Sequence, residues 1–377
     1  MKKLILAFVV FFLPLSIYAN ENYPADICFM VADLKYSKEK GIKFCEIQNG
    51  IVSVFKGSSF VIPADLSIQQ RFLRFLYAWF PRGWAAPSEF YDPGLQFVFS
   101  HAYAVQAKNS VLEIFSDPTF WAFAQLPAQD PSDFFSYQGF LFASPYLLKQ
   151  DEELPKKCPG ILIIDRASFP YLTDKYKMTE LLAKDPLLAS LKPKWKLYKK
   201  EYSKNLAAQI ASDLGGEAFV IKPRSAFIGR GVIIVKKDEL DGALDQILNH
   251  TQENTNNPDK AYNYWVEDKH DSFLVEEFVT SDLIVAPHLD NKLYQPTMRV
   301  AFVLYHNKGV FDVHTLGVYW KLPAFSVQEP ATFMEQHKDL CEPPFYLPVD
   351  PEVWNQVYPQ LQKALPLLHQ QMMKSSP

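Results

Sequence analysis

The 377-residue chain is 48% hydrophobic and 21% charged, a globular composition with apolar mass for a sizeable core, which excludes a disordered or collagen-like protein. A formal net charge of -4, from 38 basic and 42 acidic residues, excludes a protein held to nucleic acid by its overall charge.

The first element is an address. Lys2 and Lys3 precede an uncharged run over 4–19, and Asn20-Glu21 follows. A basic start, a short apolar stretch and a small exit residue predict a signal peptide over 1–19, with cleavage after Ala19. The run is short for a membrane span, which needs about 20 apolar residues. The mature chain is therefore expected to be exported, periplasmic or secreted, without a membrane anchor. An uncleaved anchor and a buried helix are the alternatives. None of Cys28, Cys45, Cys158 and Cys341 forms C-x-x-C, which removes zinc-ribbon and thioredoxin-type readings. Export permits disulfides, with Cys28–Cys45 the first pair expected; the alternative is four small buried apolar residues.

Residues 20–158 read as a mixed, aromatic-rich N-terminal domain. Strands are predicted at 27–32 and 42–47, with another at 51–55 beyond the Asn49-Gly50 turn. Ser67 opens a helix carrying Phe72, Phe75, Leu76 and Trp79 at helical spacing, and Pro81 ends it. The segment 110–150 is rich in rings interrupted by prolines, and no chemistry attaches to it.

The texture changes near Gly160. A short buried strand at 161–164 precedes a helix at 174–184 with Met178, Leu181 and Leu182 on one side. Lysines from Lys192 to Lys204 then alternate with Trp195, Tyr198 and Tyr202. That mixture suits a solvated linker beside an anion site better than a single-stranded nucleic-acid surface, so no nucleic-acid partner is expected. Helices carrying Leu206, Ile210 and Leu214, and Leu240, Leu244 and Ile247, flank the stretch 218–235. A strand at 273–279 and a hairpin of 298–305 with 310–319 follow. A final amphipathic helix at 354–373 has Val357, Leu361, Leu365 and Leu368 in register. The chain reads as α/β and α+β.

The stretch 218–235 carries the chemistry. Two apolar strands enclose a polar loop with Gly229 and Gly231, whose backbone N–H groups can close over phosphates. Lys222 before the loop adds fixed charge, with Arg224 and Arg230 as further donors. No Gly-Lys-Ser/Thr opens a helix and no G-x-G-x-x-G precedes one, so Walker and Rossmann readings fail. An ordinary β-hairpin is the alternative. Neither H-E-x-x-H nor G-x-S-x-G occurs.

Five pieces in order give a family resemblance: Asp174-Lys175, Val220-Ile221-Lys222-Pro223, Gly229-Arg230-Gly231 before an apolar strand, Val275-Glu276-Glu277-Phe278-Val279, and Met298-Arg299-Val300. Across about 170–330 the chain resembles the ATP-grasp superfamily of ATP-dependent carboxylate–amine ligases. The resemblance implies a two-lobed module, with a small lobe over 159–275 and an apparently shortened large lobe over 276–377. It implies that Lys175 and Lys222 hold the α- and β-phosphates of ATP, with Lys177 as substitute. Residues Ser225 to Gly231 form the phosphate flap. Glu276 marks the adenine edge, and the backbone of Glu277, Phe278 and Val279 reads the base. Asp282 is a ribose ligand, Arg299 steadies the γ-phosphate, and Lys321 is a second candidate there. The implied activity joins a carboxylate to an amine through an acyl-phosphate, with ATP and Mg²⁺ as cofactors. The alternatives are a weak or inactive binding protein and a kinase.

Two expectations concern the hairpin. A two-residue turn is read as placing Val303 opposite Asp312 and Ala301 opposite His314, grouping Arg299, Asp312 and His314 on a polar face; the alternative is a plain solvent face. The family's Glu-x-Asn metal motif is missing after Arg299, which leaves Asp312 as first candidate ligand for Mg²⁺ and predicts ATP binding with slow turnover or none.

Overall fold

The computed structural model describes residues 23–50, 61, 67–86, 105–108, 110–143, 153–172, 174–225, 229–257 and 259–375. The expected signal peptide, the strand at 51–55 and the flap tip at 226–228 lie outside the described residues. Among the described residues no helix is long and apolar enough to cross a membrane.

The architecture is mixed α/β with several sheets. The chain opens with β1 (Asp26–Ser37) and β2 (Gly41–Asn49). A small parallel sheet follows, built from β3 (Gly83–Ala86), β4 (Val105–Ala107), β5 (Gly139–Ala143) and β6 (Ile161–Ile163) in the order β4-β3-β5-β6. An antiparallel sheet comes next, from β7 (Trp195–Lys199), β8 (Ala218–Pro223), β9 (Ile233–Lys236) and β10 (Ser272–Glu277), ordered β7-β10-β8-β9. After a ribbon of β11 (Ile284–Ala286) and β12 (Lys292–Tyr294), the chain returns to its beginning. Strands β13 (Thr297–Asn307), β14 (Val310–Lys321) and β15 (Tyr346–Pro348) complete a five-stranded sheet, β15-β14-β13-β1-β2.

Strands β1 and β13 are near-continuous apolar runs because both faces of this central sheet are covered. Met298, Val300, Phe302 and Leu304 pack with Leu361, Leu365 and Leu368 of the helix Pro351–Ser375 and with Met178 and Leu181 of the helix Lys175–Leu182. Ala301 and Val303 face the other way, against Phe72 and Phe75 of the helix Ile68–Tyr77 and Phe140 and Phe142 of the parallel sheet. The solvent face left open for the hairpin is thus a second core. The pairing crosses the expected segment boundary: strands β1 and β2 hydrogen-bond into the same sheet as β13, and β5 pairs with β6 across position 158. The lysine-rich linker is corrected: it contains β7, an edge strand paired with β10.

The hairpin turns through Lys308 and Gly309, at φ 50 and 78, the left-handed pair that a tight two-residue turn requires. Its register places Val303 opposite His314 and Tyr305 opposite Asp312, and a bulge then brings Arg299 opposite Tyr319. The expected partners were one pair out of step, a shift of two residues that preserves which face each side chain takes. Sharing a face does not bring them together. Asp312 accepts from Tyr305 Oη at 3.0 Å, and His314 stacks on Phe75 at 5.3 Å, both towards the turn.

All four cysteines are free, so the Cys28–Cys45 disulfide is not formed. Cys28 faces the long C-terminal helix, where Asp26 Oδ2 accepts from Cys28 Sγ at 3.1 Å and pairs with His369 Nε2 at 2.8 Å. Cys45 lies on β2 at the far end of β1.

Asp165 ends β6 with φ 68 and is buried; its carboxyl accepts from Phe29 N at 2.6 Å and Asn49 Nδ2 at 3.2 Å. Burial pushes its pKa up to about 8, with Asp26 nearby adding to the rise. A folded-state pKa raised above the unfolded value gives stability that is full below the unfolded value and is lost as pH rises through the folded one. Asp165→Asn is therefore expected to flatten the fall in stability between about pH 4 and 8. Denaturant midpoints at pH 5 and pH 8 test this: an equal fall in variant and wild type would clear Asp165 of the effect.

Candidate functional site

A cleft lies between β8–β10 of the antiparallel sheet and the adjacent ends of β1, β2, β13 and β14. Strand alternation decides which side chains reach it. Phe219, Ile221, Phe273 and Val275 face the core of their own sheet, while Val220, Lys222 and Glu276 face the cleft. At the base of the flap, Gly231 has φ 71, and a Cβ there would come within 2.6 Å of Pro223 Cγ. Only glycine lets the loop return this closely over β8.

The first charged cluster forms on β8 and β10. Glu276 pairs through Oε2 with Lys222 Nζ at 2.7 Å and through Oε1 with Lys192 Nζ at 2.5 Å. A bulge on β2 helps to hold both lysines. Asp33 pairs with Glu46 but Leu34 with Phe44, which leaves Cys45 as the extra residue. The bulge turns the Cys45 carbonyl toward Lys222, at 2.9 Å, and Lys192, at 3.4 Å. Lys175 pairs with Glu46 at the rim. Burial favours the neutral forms, but Lys192 and Lys222 hold the Glu276 carboxyl below its usual range. Burial likewise lowers the Lys222 pKa, but the charge of Glu276 prevails and raises it.

The second cluster stands across the cleft. Asp33 lies opposite Arg299 in the β1–β13 register, and Arg299 grips it through Nε and Nη2, both at 2.8 Å. This fork-to-carboxylate geometry is the strong form of the contact. Lys321 Nζ reaches Asp33 Oδ2 at 2.9 Å and also pairs with Asp339. Asp339 Oδ1 takes a further hydrogen bond from Thr297 at 3.2 Å. Burial would raise the Asp33 pKa, but Arg299 and Lys321 hold it well below the carboxylate range. Lys35 completes the cluster.

Among the described residues, each cluster holds three cations against two carboxylates: Lys175, Lys192 and Lys222 with Glu46 and Glu276, then Lys35, Arg299 and Lys321 with Asp33 and Asp339. Glu277 and Lys338, also on the cleft wall, add one charge of each sign. On the cleft wall itself five cations, Lys35, Lys222, Arg299, Lys321 and Lys338, meet five carboxylates, while Lys175 and Lys192 stand behind Glu46 and Glu276; a polyanionic ligand would compete with those carboxylates for the same cations.

Of the residues expected from sequence, Lys222, Gly229, Glu276, Glu277, Phe278, Val279, Arg299 and Lys321 line this cleft. Others do not. Arg224 is bound to Asp174 at 2.5 Å and tethers the N-terminus of the helix Lys175–Leu182 instead of reaching for phosphate. Asp282 is exposed, does not line the cleft, and accepts from Lys38 N at 2.7 Å at the β1–β2 turn. Arg230 and Lys177 are exposed, Ser225 is half-buried, and none of the three lines the cleft. The N–H groups of Glu277 and Phe278 are already spent on Lys194 O, at 2.8 Å, and Ala218 O, at 3.0 Å. A base would be left with Val279 N–H and the carbonyls. Sequence reasoning missed Asp33, Lys35, Glu46, His337 and Asp339, and it read Lys192 as linker. The overlooked signal was Asp33-Leu34-Lys35, charges on one face of an otherwise buried strand.

The resemblance implies Mg²⁺, and the carboxylates beside Arg299, Lys321 and Lys222 do not fit it, whereas Glu46 and Glu277 on the same wall each keep one oxygen without a hydrogen-bond partner among the described residues. Both oxygens of Asp33, of Asp339 and of Glu276 already accept from cations or a hydroxyl. A protein-held Mg²⁺ needs carboxylate oxygens it can claim. Among the described residues the one close group of three metal-ligand atoms is Asp26, Cys28 and His369, which is buried outside this cleft. Asp312, the first candidate from sequence, lies towards the other end of its strand and does not line the cleft.

No family model and no curated protein matches the chain. Among solved structures it is similar to one named for gamma-glutamylcysteine synthetase from Methylobacillus flagellatus KT, at 13% identity, TM-score 0.44, with 93% of this chain and 90% of that one covered. A D-alanine-D-alanine ligase from Coxiella burnetii matches at 12% identity and TM-score 0.26, covering 64% of this chain and 69% of that one. A D-cycloserine synthetase matches at 13% identity and TM-score 0.31, covering 69% and 79%. At these values the likeness transfers no activity to this chain, and the functional argument rests on the cleft.

Proposed function

We propose that the cleft binds the polyphosphate of ATP, and that the chain is an ATP-grasp protein of the carboxylate–amine ligase class. The observation that carries this reading is the convergence of Lys35, Lys222, Arg299 and Lys321 on one cleft beside a glycine-based hairpin. Lys222 sits on the strand that enters the flap, where it meets phosphate oxygens from below. Arg299 and Lys321 face it from the central sheet, where they stabilise charge on a transferring phosphoryl group. In this chemistry a substrate carboxylate oxygen attacks the γ-phosphorus and ADP leaves. The amine then attacks the acyl carbon, and phosphate leaves with its bonding pair.

A second reading, an ATP-binding protein with little turnover, draws support from the full engagement of Asp33, Asp339 and Glu276. Both readings share one test. Lys222→Met should weaken ATP binding at least tenfold by calorimetry, since a charge-assisted phosphate contact contributes about 1.5–3 kcal/mol. Lys236→Met, on the exposed end of β9, should change little. Equal affinities in the two variants would remove the phosphate site from Lys222. Release of phosphate from ATP, dependent on an added amine and carboxylate, then separates ligase from binder.

A further inference from the structure

Lys35 is two residues beyond Asp33 on β1, so both side chains take the same face of the sheet and reach the cleft. It is 6% exposed. Its ammonium has three N–H groups and makes one hydrogen bond, to Pro296 O at 3.0 Å. Among the described residues no carboxylate is paired with it, whereas Arg299 and Lys321 beside it share Asp33. Burial lowers its pKa, opposed in part by Asp339 and Asp33, which stand farther off than a direct pair. A buried ammonium without a counter-ion is costly unless a ligand brings the anion.

His337 gives a second, independent observation. It is 9% exposed, it packs on Phe278 and Phe333, and it also lines the cleft. Its Nδ1 is buried with no hydrogen-bond partner among the described residues. The ring is neutral, its pKa lowered to about 4 by burial and by the charges of Lys35 and Lys236. A neutral ring in its Nδ1–H tautomer offers one donor. The hairpin at this end of the cleft pairs Thr297 with Lys321, Arg299 with Tyr319 and Ala301 with Gly317, and none of these is a carboxylate.

We propose that the end of the cleft at Lys35 and Lys321 takes phosphate groups without a protein-held divalent cation, and that Lys35 supplies the positive charge such an ion would bring, with His337 Nδ1–H adding a hydrogen bond. The proposal rests on the nucleotide reading and deepens it. Uncomplexed ATP carries more negative charge than its magnesium complex, and a buried ammonium without a paired carboxylate favours the more negative form.

Calorimetry with ATP on the full chain, once in EDTA and once in excess Mg²⁺, tests it. Affinity in EDTA is expected to equal or exceed that in Mg²⁺. Lys35→Met should lose at least tenfold in EDTA, and Lys35→Arg should recover most of the loss, with thermal melts confirming that both variants fold. Binding that tightens tenfold or more with Mg²⁺ would overturn the proposal while leaving the nucleotide reading in place. Wild-type affinity in Lys35→Met would overturn the role of Lys35. Absence of ATP binding in both buffers would overturn the proposal and the nucleotide reading together.

Discussion

Asp33→Asn is expected to destabilise the protein by about 3–5 kcal/mol, the usual cost of removing one partner from a buried ion pair. The substitution keeps the shape and removes the charge. Arg299 is only 2% exposed and loses the carboxylate that both its Nε and Nη2 bind. Lys321 retains Asp339, so the loss falls mainly on Arg299. Acid should show the same pair. Burial alone would raise the Asp33 pKa, but Arg299 and Lys321 depress it. A depressed folded-state pKa gives stability that is present above the unfolded value and lost as pH falls through the folded one. Wild type should therefore lose stability progressively below about pH 4, and Asp33→Asn should lose less over that range. Parallel denaturant midpoints for the two proteins from pH 6 to pH 3 would refute the assignment.

Glu276→Gln should have a comparable effect for a different reason. One carboxylate serves two ammonium groups, on Lys192 and Lys222, whose side chains are 5% and 9% exposed. The amide leaves both uncompensated, at a cost again of about 3–5 kcal/mol. The cleft wall, balanced in wild type, then lacks one negative charge, so a polyanion should compensate. Tripolyphosphate is expected to raise the melting temperature of Glu276→Gln by more than that of wild type, because ligand that binds only the folded state stabilises by mass action. Equal shifts in the two proteins would place the polyanion elsewhere.

Three strands of the antiparallel sheet, β8, β9 and β10, were legible because their signals are local, while the edge strand β7 was read as linker. Apolar alternation around Lys222, the glycines of the flap and the Glu276 strand lie within about 60 residues, and alternation alone sends Lys222 and Glu276 to one face. The central sheet was not legible, because nothing local tells β1 that its neighbour is β13. Its unbroken apolar run signals burial on both faces but names no partner. Asp33 and Lys35 were missed for that reason: their meaning depends on Arg299 and Lys321 arriving beside them. The two-residue turn at Lys308 and Gly309 is the expected one, but it pairs each residue of β13 with one two places further along β14 than expected, and the bulge beyond Phe302 adds one more only for Ala301 and the residues before it. Arg224 and Asp282 have the chemistry expected of ligands, yet nearer partners claim them, a helix N-terminus for one and a tight turn for the other.

The pairing of β1 with β13 also constrains how the protein is made. Asp33 and Arg299 are 266 positions apart, yet they sit side by side in the sheet. A ribosome adding about 5–20 residues per second needs on the order of 10–50 s to reach the second after the first. Through that interval β1 has a partner in β2 but an open edge on its other side, with a row of unpaired N–H and C=O groups. The cleft cannot exist until that edge is filled, because one of its clusters is assembled from both ends of the chain. High sequence separation between contacts slows folding and prolongs the exposure of such edges. A holding factor that shields β1 during synthesis should therefore raise the yield of active protein more than any change made within the antiparallel sheet.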